Sequence, residues 1–360
     1  MKKQDRRVFS TLNGLRGLAA LAVVTLHVPD HTLRELLPGS PLAVDLFFVL
    51  SGFVLAHSYT ERLRGEMGAM AFMRIRIIRL YPLYILGTAL VTAHLALLAD
   101  FNYRAWLHII GSAVFAVLFL PTPPGISPDW HPFPLNFPAW SLFFELVINY
   151  VFALLLPRLT NRLLAGVILI GLPMLIATGL YFGDLTPGWS FSNFWGGGGR
   201  VVYSFFAGVA AYRIWRNGCF EWVKLPAPVA LTILVAVFAA EPVNGRALYD
   251  LSAAIVVFPT LVLAATRKET AGFFIRICEY LGRASYAIYV MQVSVIVWSK
   301  TISKHLLGYQ LAYFGVAGTI GVLVALTALA LFLDKYYDQT ARARMSRLFR
   351  RKQLTSNRNI

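Results

Sequence analysis

Charge is scarce in this chain. Asp, Glu, Lys and Arg make up 14% of it, against 58% hydrophobic residues, and the mean hydropathy is +0.63. A soluble domain carries about a quarter charged residues, so a soluble globular fold is excluded first. Acidic residues are the scarcer sign, 17 against 33 Lys and Arg, for a net charge of +16. Such an excess suggests nucleic acid in a soluble protein. Here the basic residues stand between apolar runs, which points to membrane topology and anionic lipid instead, with no nucleic-acid partner. Cysteine is nearly absent, with only Cys219 and Cys278. Both fall in loops expected on the cytoplasmic side, so free thiols are expected and a disulfide framework is not. No metal-ligand spacing occurs. Short alternating strands are missing too, which argues against a β-barrel, and no internal repeat supports an inverted-repeat transporter.

The chain does have apolar runs of spanning length, and they imply an all-α polytopic membrane protein. Ten runs qualify: Leu12–Val28, Leu42–Ser58, Leu80–Ala99, Trp140–Leu156, Leu163–Phe182, Val201–Trp215, Pro228–Ala240, Leu251–Thr266, Ala284–Ser299 and Leu311–Leu333. The first begins like a signal peptide, but Arg16 interrupts it and no small-residue cleavage site follows His27, so it reads as an uncleaved span. With Lys2, Lys3, Arg6 and Arg7 in the cytoplasm, ten crossings put the basic loops Arg62–Arg79, Arg158–Arg162, Arg213–Lys224 and Arg267–Arg283 on that side. The tail from Lys335 then falls there as well, and both termini are cytoplasmic. An eleventh crossing at Trp106–Leu120 would move every later basic loop outside, so that segment reads as re-entrant or interfacial. The division is a membrane domain over residues 1–335 and a basic cytoplasmic tail over 336–360.

The polar residues left inside these runs are few, and ionisable groups in a membrane segment usually mark a pathway or a reaction site. Arg16 and His27 share the first span. Eleven residues separate them, roughly 16 Å of helix and close to three turns, so they point to similar sides at different depths. Asp45 opens the second span on the side where His27 lies. It is either a carboxylate that orients the imidazole or a cap on the helix end. Arg76 and Arg79, in Arg74-Ile75-Arg76-Ile77-Ile78-Arg79, share one helical face at the inner mouth, and are either a grip on a polyanion or a topology signal. Glu145 lies about one and a half turns into its span and needs a partner. Tyr286, Tyr289 and Gln292 form a polar stripe that helix–helix hydrogen bonding would also explain. His94, His108 and His305 read as interfacial or structural. On the outer side, Pro121–Pro138 holds seven prolines without Lys or Arg and carries Trp130 and His131. Gly196–Gly199 reads as a hinge beside Trp189 and Trp195.

In order along the chain, Leu12–His27, Asp45–Phe53, Arg76-x-x-Arg79 with Tyr81-Pro82-Leu83-Tyr84, Trp140-Ser141-Leu142 with Glu145, and Ser285-Tyr286 to Tyr289 resemble membrane acyltransferase family 3. That group includes bacterial O-antigen and exopolysaccharide O-acetylases. The resemblance implies a ten-helix domain in the bacterial inner membrane. It would pass an acyl group, most commonly acetyl, from cytoplasmic acyl-CoA to the hydroxyl of an extracytoplasmic or lipid-linked glycan. Arg16 and His27 match the essential first-helix pair, and Arg76 and Arg79 the motif linked to the donor. Gln292 stands where many relatives have histidine. The implied set is His27, Asp45 and Glu145 for catalysis and Arg16, Arg76 and Arg79 for the donor. Trp130, Trp140, Trp189 and Trp195 would face the acceptor, and Tyr286, Tyr289 and Gln292 are accessory. No tightly bound cofactor is expected; acyl-CoA is a substrate. The rival reading is a secondary transporter or flippase for an anionic or glycan substrate, using the same Arg, His and Glu as a relay.

Overall fold

The computed structural model describes residues 9–28, 32–242, 244–268 and 272–356, those after 349 as backbone only. Lys2, Lys3, Arg6 and Arg7 lie outside the described residues, as do the side chains of Arg350, Arg351 and Lys352. Helices make up the fold, and no strand occurs among the described residues. In chain order they are α1 (Ser10–Thr25), the short α2 (Thr32–Leu36), α3 (Ala43–Arg64), α4 (Ala69–Leu98) and α5 (Tyr103–Val117). There follow α6 (Ala139–Leu155), α7 (Asn161–Phe182), α8 (Phe194–Arg216), α9 (Ala227–Ala239), and α10 (Arg246–Ser252) running on into α11 (Phe258–Ala265). The last three are α12 (Phe273–Ile302), α13 (Gly315–Leu333) and α14 (Gln339–Ser356).

Seven helical stretches are long and apolar enough to cross a membrane: Ser40–Arg64, Ala69–Leu98, Ala139–Arg158, Asn161–Phe182, Arg246–Ala265, Phe273–Leu307 and Leu311–Phe349. Leu97, Ile110, Leu169, Ile170, Val235, Val324 and Phe332 stand exposed on the bundle's outside, where lipid rather than water suits them. The chain is an integral membrane protein. The other expected spans are helical but fall short on length or composition. α9 has 13 residues, α1 has 16, and α8 has 23 but carries Arg200, Arg213 and Arg216. For α1 the reason is its position: Leu15, Ala19, Ala20 and Val24 are fully enclosed. A helix wrapped by protein needs no uninterrupted apolar surface.

Small residues set the closest approaches. A Cβ on Gly52 of α3 would overlap the backbone at Phe205 of α8, and one on Gly208 of α8 would overlap Val49 of α3. Gly14 and Gly17 seat α1 against Cys278 and Leu281 of α12. Cys278 is therefore a buried helical residue, not a loop thiol, while Cys219 is exposed in a turn; both are free. The run Gly196–Gly199 is also part of a helix rather than a hinge. Its missing side chains let α8 pack against Phe144, Thr178 and Met174.

The helix ends sort into two groups. At one end Arg216 pairs with Glu61 at 2.9 Å, Arg213 donates to Asn161 Oδ1 at 2.7 Å, Arg267 to the Cys219 carbonyl at 2.8 Å, and Arg283 pairs with Asp334 at 3.1 Å. The expected basic loops thus meet one another. At the other end Arg246 donates to the Pro38 carbonyl and pairs with Asp250 at 2.8 Å, and Asp250 accepts from Leu185 N. Phe191 N there reaches the Trp130 carbonyl.

Segment α5 is 15 residues long and, like the 13-residue α9, is one of the shorter apolar helices, so length alone does not separate the two. Asn102 caps it, accepting from Arg104 N and Ala105 N, and Tyr81 and Tyr84 of α4 donate to its last carbonyls at 3.0 Å. The loop after it is not a simple outer surface. Thr122, Ser127, Phe133, Leu135 and Asn136 are buried, and Asn136 Nδ2 donates to the Val290 carbonyl of α12.

Candidate active site

A cavity of about 220 Å³ opens between α1, α3, α4, α6 and α12. Arg16, Arg76, Arg79 and Glu145 all line it, with Ser51, Ser141, Ser285, Tyr286 and Tyr289. Its wall is otherwise apolar, including Leu12, Phe47, Phe48 and Leu80.

Each arginine reaches the cavity by a different route. Arg16 is braced by α12: Nε donates to Ser285 Oγ at 2.8 Å and Nη2 to the Gly282 carbonyl at 2.7 Å. Arg76 is buried and pairs through Nη2 with Glu145 Oε1 at 2.6 Å, while Ser51 Oγ donates to the same oxygen at 2.9 Å. Arg79, three residues on, has no hydrogen-bond or ion-pair partner among the described residues. It lies near enough to Arg76 and Arg16 for their charges to act on it. Three guanidiniums thus face one carboxylate in a low-dielectric cleft, an arrangement that favours a bound polyanion. Arg76 Nε is also buried without a partner. Tyr286 donates to the Leu80 carbonyl and ties α12 to α4 beside the arginines.

At the other end of the cavity Tyr289 OH and Ser141 Oγ share a hydrogen bond of 2.7 Å. One turn further along α12, Gln292 is fully buried, donates to the Tyr289 carbonyl at 2.9 Å and lies against His27. Its Oε1 has no hydrogen-bond partner among the described residues. His27 does not line the cavity; it lies beside Gln292, which is three residues, roughly 4.5 Å of rise, beyond the cavity residue Tyr289. His27 Nδ1 lies 3.0 Å from the Val23 carbonyl. A carbonyl only accepts, so Nδ1 carries the proton and Nε2 keeps its lone pair. The ring meets Phe137 at 5.6 Å, and Phe137, Trp189 and His131 form a cluster with centroids 5.1–5.5 Å apart.

Several expected roles change. Asp45 is not the partner of His27. It is fully buried and pairs with Arg200 at 2.6 Å; Arg200 also donates to the Pro187 and Pro41 carbonyls and lies 5.5 Å from the Trp140 ring. The imidazole has a backbone carbonyl and an amide beside it instead. Glu145 joins the arginines, not His27, because α6 carries it down past Ser141 to the depth of Arg76. Trp140 is buried against Arg200 and the loop at Gly188. Trp195 packs on Phe182 at 5.1 Å, and Trp130 stands exposed; of the four, Trp189 reaches the neighbourhood of His27. Arg200 is the residue missed from the sequence. It follows four glycines and precedes an apolar run, so it reads as a boundary residue, yet an arginine at a span's edge faces the same burial cost that singled out Arg16. Ser51 and Ser285 carry no such signal. Among the described residues no group of three or more His, Cys, Asp or Glu is placed to hold a metal ion.

Comparison with known proteins gives this geometry its class. A family model described as an acyltransferase domain matches residues 9–333, nearly the whole membrane bundle, and the chain belongs to that family, acyltransferase family 3. It is 24% identical over 329 residues to the acyltransferase MdmB of Streptomyces mycarofaciens, covering 83% of this chain and 82% of that one. It is 41% identical over 165 residues to Protein 2 in the picA locus of Rhizobium radiobacter, covering 42% of this chain and 85% of the relative. A Staphylococcus aureus protein named as a candidate O-acetyltransferase is 23% identical over 318 residues, 82% of this chain; the chain spans about half of that relative's length, 52%. No solved structure matches the chain. The protein is a membrane acyltransferase that transfers groups other than aminoacyl groups, and the transporter reading falls away.

Proposed function

We propose that the protein moves an acyl group, acetyl in the simplest case, from cytoplasmic acyl-CoA to a hydroxyl of an extracytoplasmic or lipid-linked glycan. The observation that carries this is the course of α1. The helix holds Arg16 in the cationic cavity, and just past its end comes His27, beside Gln292 one α12 turn beyond Tyr289 and against an aromatic cluster. Donor phosphates fit the Arg16, Arg76 and Arg79 end, where the net charge is positive. The pantetheine arm then follows the apolar wall toward Ser141 and Tyr289, whose hydrogen bond must open for the thioester to meet His27.

Nε2 of His27 is the proton acceptor. As the acceptor hydroxyl attacks the thioester carbonyl, Nε2 takes its proton; the tetrahedral intermediate collapses, the C–S bond breaks, and the departing thiolate recovers a proton from the imidazolium. The Val23 carbonyl holds the ring for this step, with Gln292 packed beside it. Phe137, Trp189 and His131 suit a sugar, whose CH face packs on aromatic rings while its hydroxyls hydrogen-bond at the edges.

The orientation follows from charge. The end where the basic loops meet is the cytoplasmic one, and both termini fall there with ten crossings: the seven long apolar helices plus α1, α8 and α9. In this reading the membrane is the inner membrane of a bacterium. Mass spectrometry of envelope glycans from cells with and without the protein tests the function. An ester-linked acyl mass lost with the protein supports it. An unchanged envelope, with acylated small molecules in the cytosol, contradicts it.

A further inference from the structure

We propose that Arg342, on the basic helix α14 that lies beyond the family domain, is a fourth phosphate-binding group of the donor site, held by Asp338 until a phosphate replaces that carboxylate. The inference rests on the reading of the arginine cavity as the site for CoA.

Helix α14 returns to the cavity's cationic end and packs along the first turns of α4. The Arg74 guanidinium lies 5.8 Å from the Phe349 ring. From that seam α4 runs on to Arg76 and Arg79. Arg342 is only 31% exposed, and its charge acts on Arg79 and on Tyr286, both of which line the cavity. It pairs with Asp338, four residues before it. That aspartate closes a single π-helical turn, Asp334–Asp338, whose other acid, Asp334, pairs with Arg283 of α12. Arg342 Nε is buried with no hydrogen-bond partner, as Arg76 Nε is. The cluster is therefore short of negative charge: Arg16, Arg76, Arg79 and Arg342 face only Glu145 and Asp338, and Arg79 has no carboxylate of its own. A diphosphate or a ribose phosphate supplies several acceptor oxygens and two or more negative charges at once, the complement of that shortage.

Binding of coenzyme A itself to the full chain in lipid nanodiscs, followed by calorimetry at low and at moderate salt, tests this. Arg342→Ala should weaken CoA binding about tenfold, the scale of one charge-assisted contact, and should reduce its salt dependence. Asp338→Asn should tighten binding, because a competitor is gone. If Arg79→Ala weakens binding while Arg342→Ala leaves it at the wild-type value, the cavity remains the donor site and this inference fails. If neither changes it, the reading of the cavity fails as well. Should Arg342→Ala not give folded protein, Arg342→Lys decides. The charge stays and the fork is lost, so a severalfold weakening supports the proposal and an unchanged affinity overturns it.

Discussion

At the scale of single residues, the buried polar groups divide into those that hold the fold and those free to act. Asp45 and Arg200 satisfy each other at 2.6 Å with no exposure to speak of. Removing one partner of such a pair leaves a buried charge and costs about 3–5 kcal/mol. Asp45→Ala should therefore lower the amount of folded protein in the membrane, and Asp45→Ala with Arg200→Leu should recover part of it; quantitative blotting and detergent melting curves measure both. His27 is different, since its ring rests on a backbone carbonyl and aromatic neighbours. His27→Ala should leave the protein at its normal level and lower acyl transfer by about 10²–10⁴-fold, the range for a general base. Glu145 is an intermediate case. Glu145→Gln removes the counter-ion of Arg76, so the unliganded protein should melt earlier, by about 1–3 kcal/mol of stability, and bound CoA should restore more stability than in the wild type. An equal CoA-induced shift in both proteins would show that Glu145 does not balance the arginines. From sequence, the identities of Arg16, His27, Arg76, Arg79 and Glu145 as polar residues worth attention could be read. Their pairing could not, because burial marks a group as needing a partner without saying on which helix the partner sits.

Helices were legible where a run was long and apolar, as in α3, α7 and α13. They were less so where the surrounding protein replaces lipid. α1 is interrupted by Arg16 yet is largely buried, and α8 carries near its start four glycines that composition alone reads as a hinge. Helix packing answers both. Glycine on α8 is where a neighbour comes closest, and Gly52 and Gly208 mark the same condition at the α3–α8 crossing. Because a Cβ there would meet backbone, no rotamer change relieves it. Gly208→Ala should destabilise the bundle, and it should also reduce CoA binding, since α3 contributes Phe47 and Ser51 to the cavity wall. A variant with wild-type melting and wild-type CoA affinity would mean that the two helices can separate at no cost. The loop from 118 to 138 was the least legible stretch. Its prolines rule out a regular helix, but nothing local announces that Phe133, Leu135 and Asn136 fold inward against α4 and α12.

For the whole molecule, the account is of one bundle with a cationic cavity at the basic end and an imidazole beneath an aromatic cluster toward the other. Cysteine accessibility checks the orientation. Native Cys219 and a cysteine at Arg344 should react only from the cytoplasmic side, and cysteines at Asp129, Ser192 and Lys304 only from the outside; all are exposed positions. Reaction at 129 from the cytoplasm alone would show that α5 crosses after all. The most direct test of the central claim uses sealed vesicles of one orientation that contain the protein and an envelope glycan fraction. Isotopically labelled acetyl-CoA is supplied on the cytoplasmic face only. The account predicts labelled ester on glycan at the opposite face, absent with His27→Ala and strongly reduced with Arg79→Ala. Labelling that requires donor and acceptor on the same face, or that persists without His27, would contradict it.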